Sequence, residues 1–443
     1  MKKLNWFRKI QMSPPQVLAL TFLAAIFAGA ALLSLPISTI EPISIIDALF
    51  TATSATTVTG LVVVSTGNDF TMFGQFIIMI LMQIGGLGLM TFAILIILLL
   101  GKRIGLRGRI LIQQSFNQYS LGGMIRLVRV LLIFAFSIEI LAAGILAIRW
   151  VPEYGWTYGL FTSAFHSISA FNNAGFSLWD DSLSAYVGDP TVNVLITFLF
   201  ISGGIGFTVL YDIWKSKNFR TLTLHSKVML VGTLIVNLAA MFFLFLSEYG
   251  NMQTLGSLPL SDKLWASYFQ AVTPRTAGFN TIDIGSMEVG SIVMISLLMF
   301  IGAGSASTGS GIKLTTFLVI VLSVVSYLKG KKEVVIFKRA IPSNLLERSL
   351  AIVFISITAI FLGILTLSYT ENAPFEWIVF EAFSAFGTVG LSMGLTGELS
   401  FTGKIVIMAL MFIGRIGPVT FAFALARQQT EKIRHPKGDI FTG

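Results

Sequence analysis

The sequence predicts an all-α membrane protein of four tandem helix–re-entrant loop–helix repeats, with eight spanning helices around one pseudo-fourfold axis. Three observations lead there. The 443 residues are 55% hydrophobic and only 12% charged, with a mean hydropathy of +0.84, whereas a soluble domain carries about 25% charged residues. An aromatic residue ten positions before a glycine recurs four times, from Phe50 to Gly60, Phe165 to Gly175, Tyr268 to Gly278 and Phe380 to Gly390. Each copy also holds an apolar run too short to cross a bilayer, set between two runs that are long enough.

The elements follow in order. Residues 16–37 form the first long span; 44–55 are too short to cross and must turn back; 72–100 form the second span. The same order returns with spans 124–149 and 191–214 around the short run 159–171. It returns again with spans 224–246 and 289–328 around 262–273, and with spans 345–369 and 401–427 around 375–386. The repeats are therefore 13–100, 124–214, 224–328 and 345–428 of a single transmembrane domain, and 429–443 form a cytoplasmic tail.

The four copies end in unlike side chains: Thr57, Val58, Thr59 and Gly60; Asn172, Asn173, Ala174 and Gly175; Arg275, Thr276, Ala277 and Gly278; Gly387, Thr388, Val389 and Gly390. Only the last glycine is common to all. Glycine permits backbone conformations that a Cβ forbids, so its recurrence in varied sequence points to the main chain as the functional group. A short helix entering from one side brings its carboxyl end to mid-membrane, where its dipole carries about half a negative charge. Four such ends favour a cation. The segments climbing back cannot leave their carbonyls unpaired in lipid, so they must line a polar path, and four of them form rings of oxygens able to replace an ion's water shell.

A second glycine set marks the second spans: Gly85, Gly86 and Gly88; Gly203, Gly204 and Gly206; Gly302 and Gly304; Gly414 and Gly417. The first of each set falls 24 to 28 residues after its repeat's terminal glycine. Close helix packing accounts for small residues of this kind. The third repeat departs from the others: Gly302 to Phe317 takes 15 steps where Gly414 to Phe421 takes seven. The inserted run, Gly302, Ala303, Gly304, Ser305, Ala306, Ser307, Thr308, Gly309, Ser310, Gly311, Ile312 and Lys313, is too rich in glycine and serine for a stable helix. Irregular backbone at membrane depth belongs beside a cavity.

Charge sets the orientation. Most of the 30 Lys and Arg fall in the amino-terminal segment, the loops 101–129, 215–227 and 329–348, and the tail, while most of the 21 acidic residues lie on the side of the short hairpins. By the positive-inside rule both termini are cytoplasmic and the hairpins dip in from outside, where the acidic excess concentrates cations. The net charge of +9 is then membrane topology, with no cluster to assign to nucleic acid. The basic start has no small-residue cleavage site after a short apolar region and reads as a cytoplasmic tail. The chain has no cysteine, which removes disulfides and thiolate metal sites.

On Gly60, Gly175, Gly278 and Gly390 and the four-repeat order, the chain resembles the membrane subunit of bacterial Ktr-type potassium uptake systems, within the Trk, Ktr and HKT superfamily, over essentially its whole length. The resemblance implies that these glycines and the three residues before each form a potassium-selective filter. A serine at the first glycine goes with sodium preference in that superfamily, so Gly60 implies potassium. It implies further that the run from Gly302 to Lys313 is an intramembrane gating loop, with Arg415 beneath the filter as an electrostatic barrier or an anchor for the loop. The subunit is expected to be a homodimer in the bacterial plasma membrane, seated on a KtrA-like octameric ring of cytoplasmic RCK subunits. No Rossmann fingerprint occurs here, so ATP, ADP or NAD(H) would bind only that partner. Lys102, Arg103, Arg107, Arg109, Lys331 and Lys332 are candidates for its docking face, although topology explains basic residues there too.

Other residues carry a plainer reading beside a functional one. Glu139 is either a satisfied structural carboxylate or a contact between protomers, with permeation as the lesser alternative. Asn172, Asn173 and Arg275 are expected to brace the filter from behind, and His166 to pack within the second hairpin. Nothing in the sequence suggests catalysis, and the only ligand expected is potassium, with sodium left open. The competing function is a sodium-coupled potassium symporter that alternates access around broken helices. All hairpins lying on one side argues against it and for a fixed channel-like path.

Overall fold

The computed structural model describes residues 14–88, 124–216, 218–331 and 333–425, and these are predominantly helical. The first unit consists of α1 (Pro14–Leu33), α2 (Ile45–Thr57) and α3 (Met72–Leu87). The second has α4 (Met124–Tyr154), α5 (Trp156–Phe171), α6 (Pro190–Gly204) and α7 (Phe207–Lys215). The third has α8 (Leu224–Glu248), α9 (Leu260–Val272), α10 (Val289–Phe300) and α11 (Leu314–Leu328). A two-stranded hairpin, β1 (Val335–Ile336) and β2 (Arg339–Ala340), leads to α12 (Ser343–Thr370), α13 (Phe375–Gly387), the single turn α14 (Leu395–Glu398), α15 (Phe401–Ile416) and α16 (Pro418–Leu425).

The first helix of each unit is long and apolar enough to cross a membrane, over Pro15–Leu33, Val130–Tyr154, Leu224–Glu248 and Ser343–Thr370. The short helices α2, α5, α9 and α13 have buried carboxyl-terminal turns. Their starts are set by local chemistry. Ser44 caps α2 by accepting from the Asp47 amide at 3.2 Å, which satisfies one free amide of the first turn, while its hydroxyl donates to the Asp47 carboxylate. Pro259 and Pro374 precede α9 and α13, where extended backbone is what a helix start requires.

The second spans expected over 72–100, 191–214 and 401–427 are not continuous helices, whereas the 289–328 span is interrupted at the glycine- and serine-rich run, as its composition predicts. Helices α6 and α7 meet at 98°, turning at Gly206 with φ +108°. Helix α15 ends at Gly417, φ +92°, and Pro418 begins α16. Helices α10 and α11 are separated by the whole 301–313 segment. Helix α3 stops before Gly88, φ +84°, and the remainder of its expected span lies outside the described residues, as do 426–428 and the 429–443 tail. Glycine accepts the left-handed backbone that each turn needs, and a Cβ would oppose it.

In three of the four sets the first glycine serves packing as expected, while Gly302 lies against the Ser310 carbonyl of its own segment. A Cβ at Gly85, Gly203 or Gly414 would overlap the carbonyl of Thr56, Phe171 or Phe386, the last turn of that unit's own short helix. The units also interlock in cyclic order: α3 packs on α5, α6 on α9, α10 on α13, and α15 returns to α2. Each second helix thus supports the short helix of the following unit, and the fourth closes on the first.

Candidate functional site

The four terminal glycines meet in one ring. A Cβ on Gly60 would stand 2.5 Å from the Ala174 carbonyl oxygen and 3.0 Å from the Gly175 Cα; one on Gly175 would stand 3.0 Å from the Ala277 oxygen. Gly278 faces the Val389 carbonyl and Gly390 faces the Thr59 carbonyl in the same manner, which closes the circuit. The glycine φ values are +90°, +70°, +78° and +96°, and two residues earlier Val58, Asn173, Thr276 and Thr388 also have positive φ, +50°, +56°, +72° and +48°. The residue between them does not. Four unlike sequences adopt the same alternating backbone, so the repeated feature is the main chain, and no side chain is common to it.

Polar side chains fix these segments from behind. Ser54 and Ser384, each six residues before its glycine, accept from the Gly60 and Gly390 amides at 3.1 and 3.2 Å. Ser169 and Thr273 instead donate to the Phe176 and Phe279 carbonyls at 2.8 and 2.6 Å. Nine residues before the glycine, His166 meets the Ser177 hydroxyl at 3.1 Å and Glu381 accepts from Ser392 at 2.8 Å and from Thr396. His166 also donates to the Thr162 carbonyl and stacks on Trp179 with ring centres 4.4 Å apart.

Asn172 and Asn173 diverge. Asn172 donates to Gln83 at 2.7 Å and Glu139 at 3.2 Å, and the Gln83 amide reaches both Glu139 oxygens at 3.1 and 3.0 Å. Glu139 is thus buried inside the protomer, as the structural carboxylate of the two first readings. Asn173 faces the other way, donating to Thr276 at 3.3 Å and accepting from Thr308 at 2.6 Å. Arg275 reaches none of the ring carbonyls; it turns outward to Asn237 on α8 at 3.2 Å, beside a small cavity lined by Thr233, Val272 and Ala303. It lies behind the ring as expected, but the carbonyl bracing is absent because its side chain leaves on the far face of its segment.

On one side the ring opens into a cavity of about 550 Å³ lined by all four glycines, with Asp180, Asp181 and Asp283 in its wall. On the other side lies the 301–313 segment. Ile301 and Ile312 form a short parallel bridge, and Gly311 approaches Gly387, to within 3.6 Å of its Cα for an added Cβ. The segment is held to the α6–α7 break by three backbone bonds: Gly304 to Gly204 at 2.8 Å, Thr308 to Gly203 at 3.1 Å, and Phe207 to Ala306 at 2.8 Å. From the fourth unit the Arg415 guanidinium donates to the Thr308 carbonyl and to Ser310 at 3.1 Å, and also to the Gly85 and Gly86 carbonyls of the first unit. Lys313 folds back onto the Gly309 carbonyl at 2.8 Å. One guanidinium therefore ties the segment across the axis.

A sequence model of the TrkH family, described as "Cation transport protein", matches residues 11–434. The chain belongs to the TrkH cation transport family. Among relatives within this family, it is 62% identical to the Ktr system potassium uptake protein B of Bacillus subtilis over 100% of this chain and 99% of that protein. It is 43% identical to the protein of the same description from Vibrio alginolyticus, covering 98% of this chain and 96% of the relative. The potassium/sodium uptake protein NtpJ of Enterococcus hirae is 39% identical, with 98% of both chains covered. The crystal structure of the potassium transporter TrkH from Vibrio parahaemolyticus superposes with a TM-score of 0.73, 20% identity, and coverage of 95% of this chain and 88% of that one, which places this member in the same fold.

Several contacts of this TrkH-family chain were not expected from sequence: Gln83, the Thr308 hydroxyl, and the paired positions of His166 with Ser177 and Glu381 with Ser392. Aligning the four copies on their glycines puts His166 and Glu381 in one column and both serines in another. That column agreement is the signal that could have found them.

Proposed function

We propose that this chain is the potassium-translocating membrane subunit of a bacterial uptake system, working as one pore domain of four repeats and eight spans in the plasma membrane. The observation that carries the reading is the closed ring of Gly60, Gly175, Gly278 and Gly390 with its alternating backbone. Backbone oxygens arranged around an axis replace an ion's hydration shell, and the inward carboxyl ends of α2, α5, α9 and α13 add negative potential there. The acidic cavity on the other face of the ring supplies cations and is read as the outer mouth, with both termini cytoplasmic. The names of the relatives, potassium uptake proteins of Ktr systems, support the same ion.

In this reading the 301–313 segment is a gate below the filter and Arg415 is its latch. The subunit pairs as a homodimer and is governed by a separate RCK ring that binds the nucleotide. Of the docking residues, Lys331 is described, and Lys102, Arg103, Arg107, Arg109 and Lys332 lie outside the described residues. The broken second helices favour a second reading, alternating access with sodium coupling, since such breaks build midplane sites in secondary transporters; the name of the Enterococcus relative includes sodium. The two are separated by potassium and sodium uptake in a bacterial strain deficient in potassium uptake, expressing the full chain with and without an RCK partner. A channel-like path gives potassium flux that needs no sodium, and strict sodium dependence would favour the symporter.

A further inference from the structure

The gate loop and the filter share a side-chain connection. Thr308 stands at the centre of the loop, and all three of its polar groups leave it: the amide to Gly203 at 3.1 Å, the carbonyl to Arg415, and the hydroxyl to Asn173 at 2.6 Å. Asn173 is the left-handed residue of the second filter segment, φ +56°, and it hands the connection on to Thr276, the left-handed residue of the third segment, at 3.3 Å. All three side chains are fully buried, with Thr308 and Thr276 at 0% and Asn173 at 1% exposure. A Cβ at Gly203 would stand 2.8 Å from the Thr308 hydroxyl and 2.9 Å from the Asn173 oxygen, so the glycine leaves room for the pair to meet.

We infer that Asn173 is a specificity-determining residue whose orientation is set by the gate: the Thr308 hydroxyl, through Asn173, positions the backbone of the second and third filter segments. This rests on the filter and gate reading above. The physics is direct. Asparagine tolerates left-handed backbone because its short polar side chain can be held locally. Here the holding partner sits on the one element that must move for ions to pass. When the loop withdraws, the Asn173 oxygen loses its donor in a buried site, where an unpaired polar group is costly and reorients. Two of the four carbonyl strands at the inner end of the filter then relax. Displacement of the gate therefore changes ion preference as well as flux.

The test is the ratio of initial potassium to sodium uptake by the full-length chain with its regulatory partner, in cells deficient in potassium uptake. Thr308→Val keeps the shape and removes the donor, and should lower the ratio about two- to tenfold, the range that one hydrogen bond supports. Thr308→Ser restores the donor and the ratio. In an Asn173→Ala background, Thr308→Val should lower the ratio no further, because the connection is already cut; Asn173→Gly, which accepts the positive φ, replaces Asn173→Ala if the latter does not reach the membrane. A Thr308→Val protein with altered rate but an unchanged ratio overturns the coupling, as does a double variant whose loss is the product of the two single losses. Gly278→Ser is the control for the underlying reading: if it leaves the ratio unchanged, the filter assignment fails, and if it alone shifts the ratio, only the coupling fails.

Discussion

The Lys404 ammonium lies 2.6 Å from the Asp47 carboxylate, joining the start of α15 in the last repeat to the start of α2 in the first, across 357 residues of sequence. With α15 packed on α2, the pair closes the ring at the seam where the chain itself cannot. Both side chains are about one-sixth exposed, 16% and 17%, so water screens the pair only in part. Removing either partner leaves the other poorly solvated, at a cost of about 1–2 kcal/mol, between exposed and fully buried pairs. Lys404→Met and Asp47→Asn are each expected to lower the thermal stability of the purified full chain, and the double variant to recover part of the loss. Strictly additive losses would show that the two residues act separately.

Substitution at the ring glycines should be graded. Every non-glycine residue there meets the left-handed penalty, about 1–2 kcal/mol. The added Cβ meets different obstacles: at Gly175 the next carbonyl is 3.0 Å away, whereas at Gly278 and Gly390 the Cβ overlaps Val389 or Thr59 outright. Serine at Gly175 is therefore expected to reduce the potassium to sodium uptake ratio least, and serine at Gly278 most. An equal effect at all four positions would mean that backbone crowding does not set the outcome.

Glu139 can be tested by exchange. Gln83 offers its amide to both carboxylate oxygens and its carbonyl to Asn172. Glu139→Gln turns a donor toward a donor and leaves a buried group unpaired, at about 1–3 kcal/mol. We expect lower thermal stability and weaker potassium uptake, with recovery of both in the exchange Glu139→Gln with Gln83→Glu, which restores one acceptor facing one donor. If the exchange behaves no better than the single change, the network does not hold Asn172.

What could be read from sequence follows the physics of each feature. The ring was legible because a backbone requirement leaves glycine at a fixed spacing while neighbouring side chains vary, as Thr57, Asn172, Arg275 and Gly387 do. The 301–313 segment was legible from its extra length. The breaks at Gly206 and Gly417 were not, because a glycine that lets helices pack and one that ends a helix look alike in an apolar run. Arg275 was placed behind the ring, yet its direction depends on Asn237 of α8, far away in the chain. Thr308 and Asn173 are 135 residues apart, and only the cyclic order of the units brings them together.

The last prediction concerns Arg415. Its guanidinium forks between two elements, Thr308 and Ser310 of the loop on one side and Gly85 and Gly86 on the other. A planar fork can hold both at once, whereas a lysine ammonium presents a point charge that satisfies one side at a time. Arg415→Ala should therefore raise potassium flux and loosen its dependence on the regulatory partner, and Arg415→Lys should fall between it and the parent. Removing about eight residues of the loop, so that Gly302 to Phe317 matches the seven steps of Gly414 to Phe421, should act in the same direction and more strongly, because the obstruction itself is gone. Since the deletion also removes the donor to Asn173, the potassium to sodium ratio should fall as far as it does in Thr308→Val and no further. Initial rates with and without the partner, normalised to protein in the membrane, measure all three variants. An assembled deletion with unchanged or lower flux would rule out a gate, and a complete loss of potassium preference would mean that the loop holds up the filter as a whole.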